Sequence, residues 1–360
     1  MHVRVYTSFQ EVAGEVRGRL SYPTQPNFFL SLDWFSLLFE TSLRETLAPR
    51  IYVPLNGQGE PLGALFCGVA RGGAGRRLLS LTNFYTLEYS PSVVQDQPDR
   101  QTTIGLIVAY IAAERPRWHS IRLTFLKASA SETRSTLDQL RAVGFGVYPF
   151  FQYENWYFTA NGETFQAYFS ERPSQVRNTI VRKQKKLEKT AGFVIKVVSH
   201  ESVQLEGAIR DFITVYNSSW KEPEPFPNFI PTLATICARL GILRLGVLYV
   251  AGKPTAGQLW ITTQGRAIIY KLAYDEEYRD LGVGSVLSRE MFRVAIDEDH
   301  VEEIDYGVGS EPYKRDWMAS VRDVEGFAAF NQRSLVGILL SSMEAARTAM
   351  RRGRTLLKRK

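Results

Sequence analysis

The sequence predicts an α/β fold built from two copies of one unit, each a mixed, mostly antiparallel sheet flanked by helices. Stretches with strand periodicity alternate with stretches of helical periodicity along the 360 residues. The order of elements in residues 51–142 returns in residues 243–307, which indicates an internal duplication. A glycine-containing loop at 279–284, directly before a helix, distinguishes the second copy from the first.

Composition and charge narrow the classes of function that fit. With 44% hydrophobic and 22% charged residues, the chain has the composition of a globular protein. The net charge is +7, but residues 331–360 carry eight Lys or Arg and one Glu, so the remainder is formally neutral. A neutral body argues against general nucleic-acid binding. We also find no 18-residue apolar run and no secretory signal, and therefore expect a cytoplasmic protein.

Cysteines and histidines give no sign of a metal site. Cys67 and Cys237 lie in apolar segments far apart in sequence, which favours two reduced buried thiols; one disulfide is the open alternative. The four histidines are scattered and form no cluster with metal-ligand spacing. We predict that the protein binds no metal.

The elements of the first copy follow from periodicity and turn residues. Asn56-Gly57 is a strong hairpin signal between two apolar runs. The predicted elements are a helix at 31–47, strands at 51–55, 62–70, 78–89 and 120–126, and helices at 103–114 and 131–142.

A basic helix is predicted between the copies, at residues 171–189, which contain seven basic and two acidic residues. Val176, Ile180 and Leu187 form a narrow apolar stripe, and the remaining faces are charged. One interpretation is a solvated helix packed along one edge. The alternative is a surface that attracts the phosphates of a substrate, a nucleic acid or an anionic lipid.

The second copy repeats the order of the first. Its predicted elements are a helix at 205–220, strands at 243–250, 255–262 and 266–274, a helix at 285–298, and a strand at 302–306. A proline-rich segment, 220–229, either covers a substrate groove or is an ordinary connection.

The loop Arg279-x-x-Gly282-x-Gly284 has the properties of a diphosphate site. Glycine lets the backbone approach a ligand closely, and the start of a helix offers unpaired N–H groups at its positive end. The alternative is an ordinary turn before a helix, in which glycine only provides the backbone angles.

The order strand, Arg279-x-x-Gly282-x-Gly284, helix, strand resembles the acyl-CoA site of the GNAT N-acyltransferases. Residues from about 150 to 330 resemble more specifically the CelD/BcsL branch, which is related to the FemAB peptidyltransferases. The stretches that carry this resemblance are the basic helix, LRLGVLYVAGKPTAGQLW, YKLAYDEEYRDLGVGSVL and EIDYGVGSEPYKRDW. In the first half, LLSLTNFYTLEYSP resembles the same branch.

The resemblance implies two GNAT-like units with one active site: an N-terminal unit at 1–155 without a cofactor site, a C-terminal unit at 156–330, and a basic tail at 331–360. The pantetheine arm of the donor would lie between two splayed parallel strands, 266–274 and 302–306. The diphosphate would meet the loop residues Arg279, Leu281, Gly282, Val283, Gly284 and Ser285.

The chemistry of acyl transfer to an amine suggests catalytic candidates in the turn after the last strand. An amine attacks a thioester only when unprotonated, so a carboxylate should take its proton. We predict Asp305 as this base or as an orienting group, Tyr313 as the acid for the leaving thiolate, and Lys314 as the charge that stabilises the oxyanion or holds substrate. The structural alternatives are a turn cap for Asp305, core packing for Tyr313 and, for Lys314, an ion pair with Asp316 or Glu311.

Further residues are candidates for contacting substrate. Gln258 and Lys271 lie on strands that face the predicted cleft, and Asp275 follows the second of these strands. Asp275 and Glu276 are also alternative bases.

Three functions are compatible with these sequence features. The first is transfer of an acetyl or longer acyl group from acyl-CoA to an amine of a small molecule, an amino sugar or a cell-envelope precursor. The second replaces the donor by aminoacyl-tRNA, as in the FemAB relatives, and the third is a non-catalytic accessory protein of polysaccharide or envelope synthesis. The tail at 335–360 forms either a docked helix or a peripheral contact with an anionic membrane.

Overall fold

The computed structural model describes residues 1–25, 27–71, 76–94, 99–309 and 311–357. The chain divides into two compact units: unit 1 comprises Met1–Tyr153 and Asp323–Lys360, and unit 2 comprises Glu154–Arg322. Residues 323–330, expected in the second unit, group with unit 1 because their strand pairs there.

Strands are labelled in chain order. They are β1 His2–Tyr6, β2 Leu47–Leu55, β3 Gly63–Ala70, β4 Arg77–Ser80, β5 Ser92–Val93, β6 Ser120–Lys127, β7 Phe145–Thr159, β8 Val194–Val198, β9 Leu243–Val250, β10 Lys253–Thr263, β11 Arg266–Tyr274, β12 Glu303–Val308 and β13 Ser320–Asn331.

Helices are labelled in the same way. They are α1 Gly14–Leu20, α2 Leu32–Leu38, α3 Arg100–Ala113, α4 Ser131–Ala142, α5 Phe165–Ser170, α6 Ser174–Leu187, α7 Leu205–Asn217, α8 Phe229–Arg239, α9 Val283–Arg293 and α10 Leu335–Leu357. Short 3-10 helices lie at Phe28–Leu30, Glu276–Leu281 and Pro312–Asp316, and π-helical turns at Phe39–Leu43 and Val294–Glu298. In the described part of the chain, none of the helices is long and apolar enough to cross a membrane.

Both units contain the same mixed sheet. In unit 1 the order is β1-β2-β3-β4-β6-β13, antiparallel except for the parallel pair β4 and β6. In unit 2 the order is β8-β9-β10-β11-β12-β7, antiparallel except for the parallel pair β11 and β12. Two helices precede the second strand in each unit, and one long helix connects the parallel pair. The predicted α/β fold, with a mixed and mostly antiparallel sheet in each of two units, is confirmed.

Several predicted boundaries differ from the structure. The predicted helix at 31–47 stops early because residues 47–55 pair with β1 and β3 as a long strand. Of the predicted strand at 78–89, only its first residues pair, in β4. Strands β7 and β13, which complete the two sheets, and helix α8 were not predicted.

The core of unit 2 fixes the turn that follows β12. Phe292 of α9 stacks against Tyr168 of α5 at 5.2 Å and against Trp317 at 4.7 Å between ring centroids. The carbonyl oxygen of Trp317 accepts hydrogen bonds from the Tyr168 hydroxyl at 2.7 Å and from Nη1 of Arg172 at 3.0 Å. Because these side chains are buried, the segment before Trp317 is anchored at one end.

Candidate active site

Strands β11 and β12 part in the middle of the sheet of unit 2. Their parallel pairing covers three residue pairs and ends at Ile268 opposite Asp305. Beyond this point β12 is irregular, and Gly307 has a φ of 67°, in the left-handed region that favours glycine. The two splayed parallel strands predicted from the sequence are therefore present.

A cavity of about 590 Å³ lies where the strands part. Its walls come from β11, β12, α6, α9 and the turn before Trp317. The lining residues are Pro173, Gln175, Val176, Thr179, Ile180, Trp220, Gln258, Leu272, Ala273, Tyr274, Gly284, Ser285, Ser288, Tyr306, Tyr313, Asp316 and Trp317. The predicted site residues Gln258, Gly284, Ser285 and Tyr313 are among them, so the structure brings these four to one cavity.

The glycine loop contributes Gly284 and Ser285 to the lining of this cavity. The 3-10 helix Glu276–Leu281 ends at Gly282, whose φ of 68° reverses the chain before α9 begins. A Cβ atom at Gly284 would lie 2.9 Å from Cδ1 of Tyr274, so only glycine leaves this space open. The first-turn N–H groups of α9, at Val283, Gly284 and Ser285, have no acceptor within their own helix. This geometry can receive an anion beside the cavity.

Two basic side chains, Lys183 and Arg279, lie at the glycine loop. Nζ of Lys183, on α6, donates to the carbonyl oxygen of Asp280, and the stem of Lys183 packs over Gly282. The predicted diphosphate ligand Arg279 has an exposed side chain and a loose contact of 3.8 Å with Glu276. The basic helix is therefore a neighbour of the glycine loop, which the sequence did not show. Leu281 packs at the edge of the core and Val283 is buried within it, so any contact they make with a ligand is through the backbone.

Gln258 is fixed by hydrogen bonds inside the cavity wall. Its Nε2 donates to Oγ of Ser288 at 2.7 Å and to the carbonyl oxygen of Gly284 at 3.3 Å. Its Oε1 accepts from Nε1 of Trp260 at 2.8 Å. Gln258 therefore ties β10 to the first turns of α9.

Asp305 lies beneath the cavity and has partners on both carboxylate oxygens. Oδ1 accepts from the backbone N–H of Gly307 at 2.8 Å and from Nδ2 of Asn155 at 2.7 Å. Oδ2 accepts from Nη2 of Arg322 at 2.6 Å, and the same guanidinium pairs with Glu303. Asp305 is buried and does not line the cavity. These hydrogen bonds indicate that Asp305 fixes the backbone at the end of β12.

Lys314 is also occupied by local partners. Its Nζ donates to the carbonyl oxygens of Val308 at 2.6 Å and Gly309 at 3.1 Å, and it pairs with Glu311 at 2.8 Å. Burial lowers the pKa of Lys314, although Glu311 acts in the opposite direction. The lysine thus closes the turn after β12 and does not line the cavity.

Tyr313 and Asp316 are the polar side chains that this turn presents to the cavity. The ring of Tyr313 packs edge-on against Tyr306 with centroids 5.6 Å apart. Burial, with the nearby charge of Glu311, raises the pKa of Tyr313 to about 12. Among the residues that line this cavity, Asp316 is the one carboxylate in the described part of the chain. The sequence had suggested Asp316 only as an ion-pair partner of Lys314.

The remaining candidates, Lys271 and Asp275, do not line the cavity. Nζ of Lys271 bonds Glu224 of the proline-rich segment. Oδ1 of Asp275 accepts from the backbone N–H of Glu277 at 3.0 Å and so caps the 3-10 helix. Both therefore have structural partners in unit 2.

A second lysine, Lys221, lies close to Lys271. Its ammonium is 5.6 Å from the centroid of the Tyr216 ring and 5.7 Å from that of Trp220, which lines the cavity. Burial, together with the positive charge of Lys271, lowers the pKa of Lys221 to about 8. No sequence pattern indicated this residue, because the lysines converge only in the folded chain.

Asp305→Ala should strongly destabilise the protein. It removes the acceptor of the buried Gly307 N–H and one of the two carboxylates that pair with Arg322, which keeps Glu303. A buried donor left without an acceptor costs about 1–3 kcal/mol. Urea unfolding followed by fluorescence measures the loss. Asp138→Ala is the control, because Asp138 makes an exposed pair with Arg141. Equal small effects of the two substitutions would contradict the assigned role.

Lys221→Met should stabilise the protein at pH 7. Below about pH 8 the folded state holds a partly buried, protonated Lys221, whereas the unfolded chain keeps the ordinary pKa of 10.5. The unfolded state therefore binds more protons between these values, and the free energy of unfolding of the wild type rises with pH across this window. The methionine variant should lack this rise and gain on the order of 1–3 kcal/mol at pH 7. An unchanged pH dependence would refute the burial of this charge.

Comparisons with known proteins agree with this geometry. The family model described as Acetyltransferase (GNAT) domain matches residues 174–315, which include the glycine loop and most of the residues that line the cavity. A comparison with curated proteins found no match to the sequence.

Solved structures share the fold at low sequence identity. FemX has a TM-score of 0.58 at 10% identity, over 91% of this chain and 97% of FemX. A conserved protein of unknown function from Bacteroides thetaiotaomicron has a TM-score of 0.58 at 11% identity, over 91% of this chain and 100% of that protein. The C-terminal domain of a putative lysylphosphatidylglycerol synthetase from Agrobacterium fabrum has a TM-score of 0.52 at 12% identity, over 86% and 90% of the two chains.

The resemblance to the GNAT superfamily is thus confirmed, whereas the narrower CelD/BcsL branch stays a prediction. Residues 174–315 are similar to the GNAT acetyltransferase domain.

Proposed function

We propose that unit 2 is an acyl-CoA-dependent N-acyltransferase whose donor lies in the cavity between β11 and β12. The observation that carries this proposal is that Gly284 and Ser285 of the glycine loop line that cavity. A coenzyme A thioester has a diphosphate at one end and a long, narrow arm at the other. The residues present fit both parts, since Gly284 keeps space beside Tyr274 and the parted strands leave room for the arm.

Each part of the donor would meet a different set of residues. The diphosphate would be held by the backbone N–H groups of Val283, Gly284 and Ser285, with Lys183 and Arg279 adding positive charge. The arm would lie among apolar and aromatic side chains, of which Leu272, Tyr274 and Tyr306 line the cavity. When bound, this donor supplies a thioester carbonyl activated for attack by an amine.

The turn before Trp317 provides the groups that move protons. Asp316 takes the proton of the acceptor ammonium, which frees the nitrogen lone pair for attack. A C–N bond forms, the C–S bond breaks, and the electron pair of that bond leaves with sulfur as a thiolate, which takes up the second proton that the nitrogen loses. Tyr313, which stays protonated at neutral pH because its pKa is about 12, donates a hydrogen bond to the leaving sulfur.

Asp305 and Lys314 take positioning roles in this proposal. Both are held by local partners outside the cavity lining, and both determine the path of the chain from the end of β12 to Tyr313. Gln258 also has a positioning role, because its hydrogen bond to Ser288 holds the first turns of α9 in place. The acceptor is proposed to be an amine of a small molecule, an amino sugar or a cell-envelope precursor.

A different donor, aminoacyl-tRNA, is the second candidate, because the basic helix α6 lies beside the glycine loop. Lys183 contacts this loop, and the exposed basic residues of α6 offer further contacts to phosphates. The neutral charge of residues 1–330 favours the smaller donor, which needs only the loop and the cavity.

Calorimetric titration with acetyl-CoA and longer acyl-CoAs tests the donor site directly. We expect the wild type to bind and Gly284→Glu to lose at least about tenfold in affinity, because the new side chain collides with Tyr274 and opposes the diphosphate. Gly207→Glu on α7 is the matched control, since a Cβ there meets only the tip of Arg210, at 3.9 Å.

The outcomes separate the alternatives. If neither acyl-CoA nor free coenzyme A binds the wild type, or if Gly284→Glu binds as tightly, the acyl-CoA proposal fails. Salt-sensitive binding of tRNA that is lost on replacing Lys185 and Lys186 by Gln would then support the second donor. Binding of neither donor would favour a non-catalytic accessory protein.

Asp316→Asn should lower kcat about 10²–10³-fold at neutral pH with little change in donor affinity, because the amide cannot accept the ammonium proton. The assay measures thiol release from acyl-CoA in the presence of a panel of amino sugars and amino acids. Asp323→Asn is the control, since Asp323 is an exposed aspartate of β13.

The pH profile distinguishes Asp316 from Lys221 as the proton acceptor. With Asp316 as the base, the profile of Lys221→Met should match that of the wild type. A rate in the wild type that rises through pH 8 and is abolished by Lys221→Met would assign the role to the lysine and contradict the role of Asp316.

A further inference from the structure

Helix α10 exposes most of the large apolar side chains between Leu335 and Met350 to solvent. Leu335 is 88% exposed, Leu339 62%, Met343 45% and Met350 61%. Residues spaced by four, or by seven, lie on one side of a helix, so these side chains form one stripe. A helix that docks on its own sheet would bury such a stripe.

The inward side of α10 is made of small and polar residues instead. A Cβ atom at Gly337 would lie 2.2 Å from the carbonyl oxygen of Asn331, so the helix backbone touches unit 1 directly at this point. Ser341 is buried, and its Oγ lies 2.9 Å from the Tyr148 hydroxyl. The helix is therefore attached to unit 1 by close backbone contact, while its apolar stripe has no partner among the described residues.

The sequence that continues the stripe is strongly basic. After Ala346, the chain contains seven Lys or Arg and no Asp or Glu. An apolar stripe followed by concentrated positive charge matches a surface of anionic lipid, which offers an apolar boundary layer and negative phosphates together. A parallel pairing of two copies through α10 would bring two positive ends together, which like-charge repulsion opposes.

We propose that α10 holds the protein on an anionic membrane surface, with the stripe from Leu335 to Met350 in the headgroup region and the basic end on the lipid phosphates. The contact is peripheral and does not involve a spanning helix. It is independent of the acyl-transfer chemistry, because α10 belongs to unit 1 and the catalytic cavity to unit 2.

Flotation of the full-length protein with lipid vesicles tests this proposal. Vesicles of phosphatidylcholine with about 30% phosphatidylglycerol should bind the protein at least about tenfold more tightly than pure phosphatidylcholine, and added salt should weaken binding. Arg351→Gln with Arg352→Gln should weaken binding to the anionic vesicles several-fold, since each basic residue contributes to the attraction.

A matched pair of variants tests the apolar stripe. Leu339→Glu should lower binding about tenfold or more, whereas Val203→Glu, at a fully exposed site in unit 2, should leave it unchanged. Equal thermal unfolding of the two variants would show that both are folded. The proposal is overturned if anionic vesicles do not bind the wild type, if both variants bind equally, or if sedimentation shows a dimer that Leu339→Glu dissociates.

Discussion

The hydrogen bonds of Asp305 set the shape on which the candidate site depends. In a continuous sheet the backbone of β12 would go on pairing with β11 beyond Ile268. Here Oδ1 of Asp305 instead accepts from the N–H of Gly307, two residues further along its own chain. Asn155 holds both Oδ1 of Asp305 and the carbonyl oxygen of Gly307, and Arg322 neutralises the carboxylate. The strand can therefore leave its neighbour with these backbone polar groups satisfied, which a buried strand end requires.

The first unit shows what happens at the same place without this arrangement. Strands β4 and β6 also pair in parallel over three residue pairs. Beyond them, Oγ1 of Thr124 lies 3.0 Å from Oγ of Ser80 and 2.8 Å from Oγ1 of Thr82, so hydroxyl groups join the two strands. The same sheet therefore occurs twice in the chain. Hydroxyl groups link the parallel strands in unit 1, whereas a cavity lies beside them in unit 2. We propose on this ground that acyl transfer takes place in unit 2 alone.

The sequence predicted those features that local patterns encode. The repeated strand order and the glycine loop follow from periodicity and glycine spacing, whereas the two splayed parallel strands were expected from the resemblance to the GNAT N-acyltransferases. Helix α4 matches its predicted bounds, because residues 131–142 carry an uninterrupted helical pattern. The loop in front of α9 was found for a related reason, since Gly282 and Gly284 mark a backbone shape that other residues do not allow.

Features that depend on distant partners were not predictable. Strand β7 is 15 residues long, yet its mixed pattern of exposure hides the alternation expected of a strand. Asp305 looked like a free carboxylate because Asn155 and Arg322 are remote in sequence. In the sequence, Asp316 is a candidate ion-pair partner of Lys314, and Lys221 belongs to no motif. The residue types near the glycine loop thus indicated where the site lies. The role of each side chain could be assigned only from its tertiary contacts.

A crystal structure of the protein with bound coenzyme A tests most directly whether the gap between β11 and β12 holds the arm of an acyl donor. We expect the diphosphate on the N–H groups of Val283, Gly284 and Ser285, and the arm passing between Tyr274 and Tyr306 toward Tyr313 and Asp316. Coenzyme A bound at another surface, with the gap closed by side chains of unit 2, would contradict this expectation.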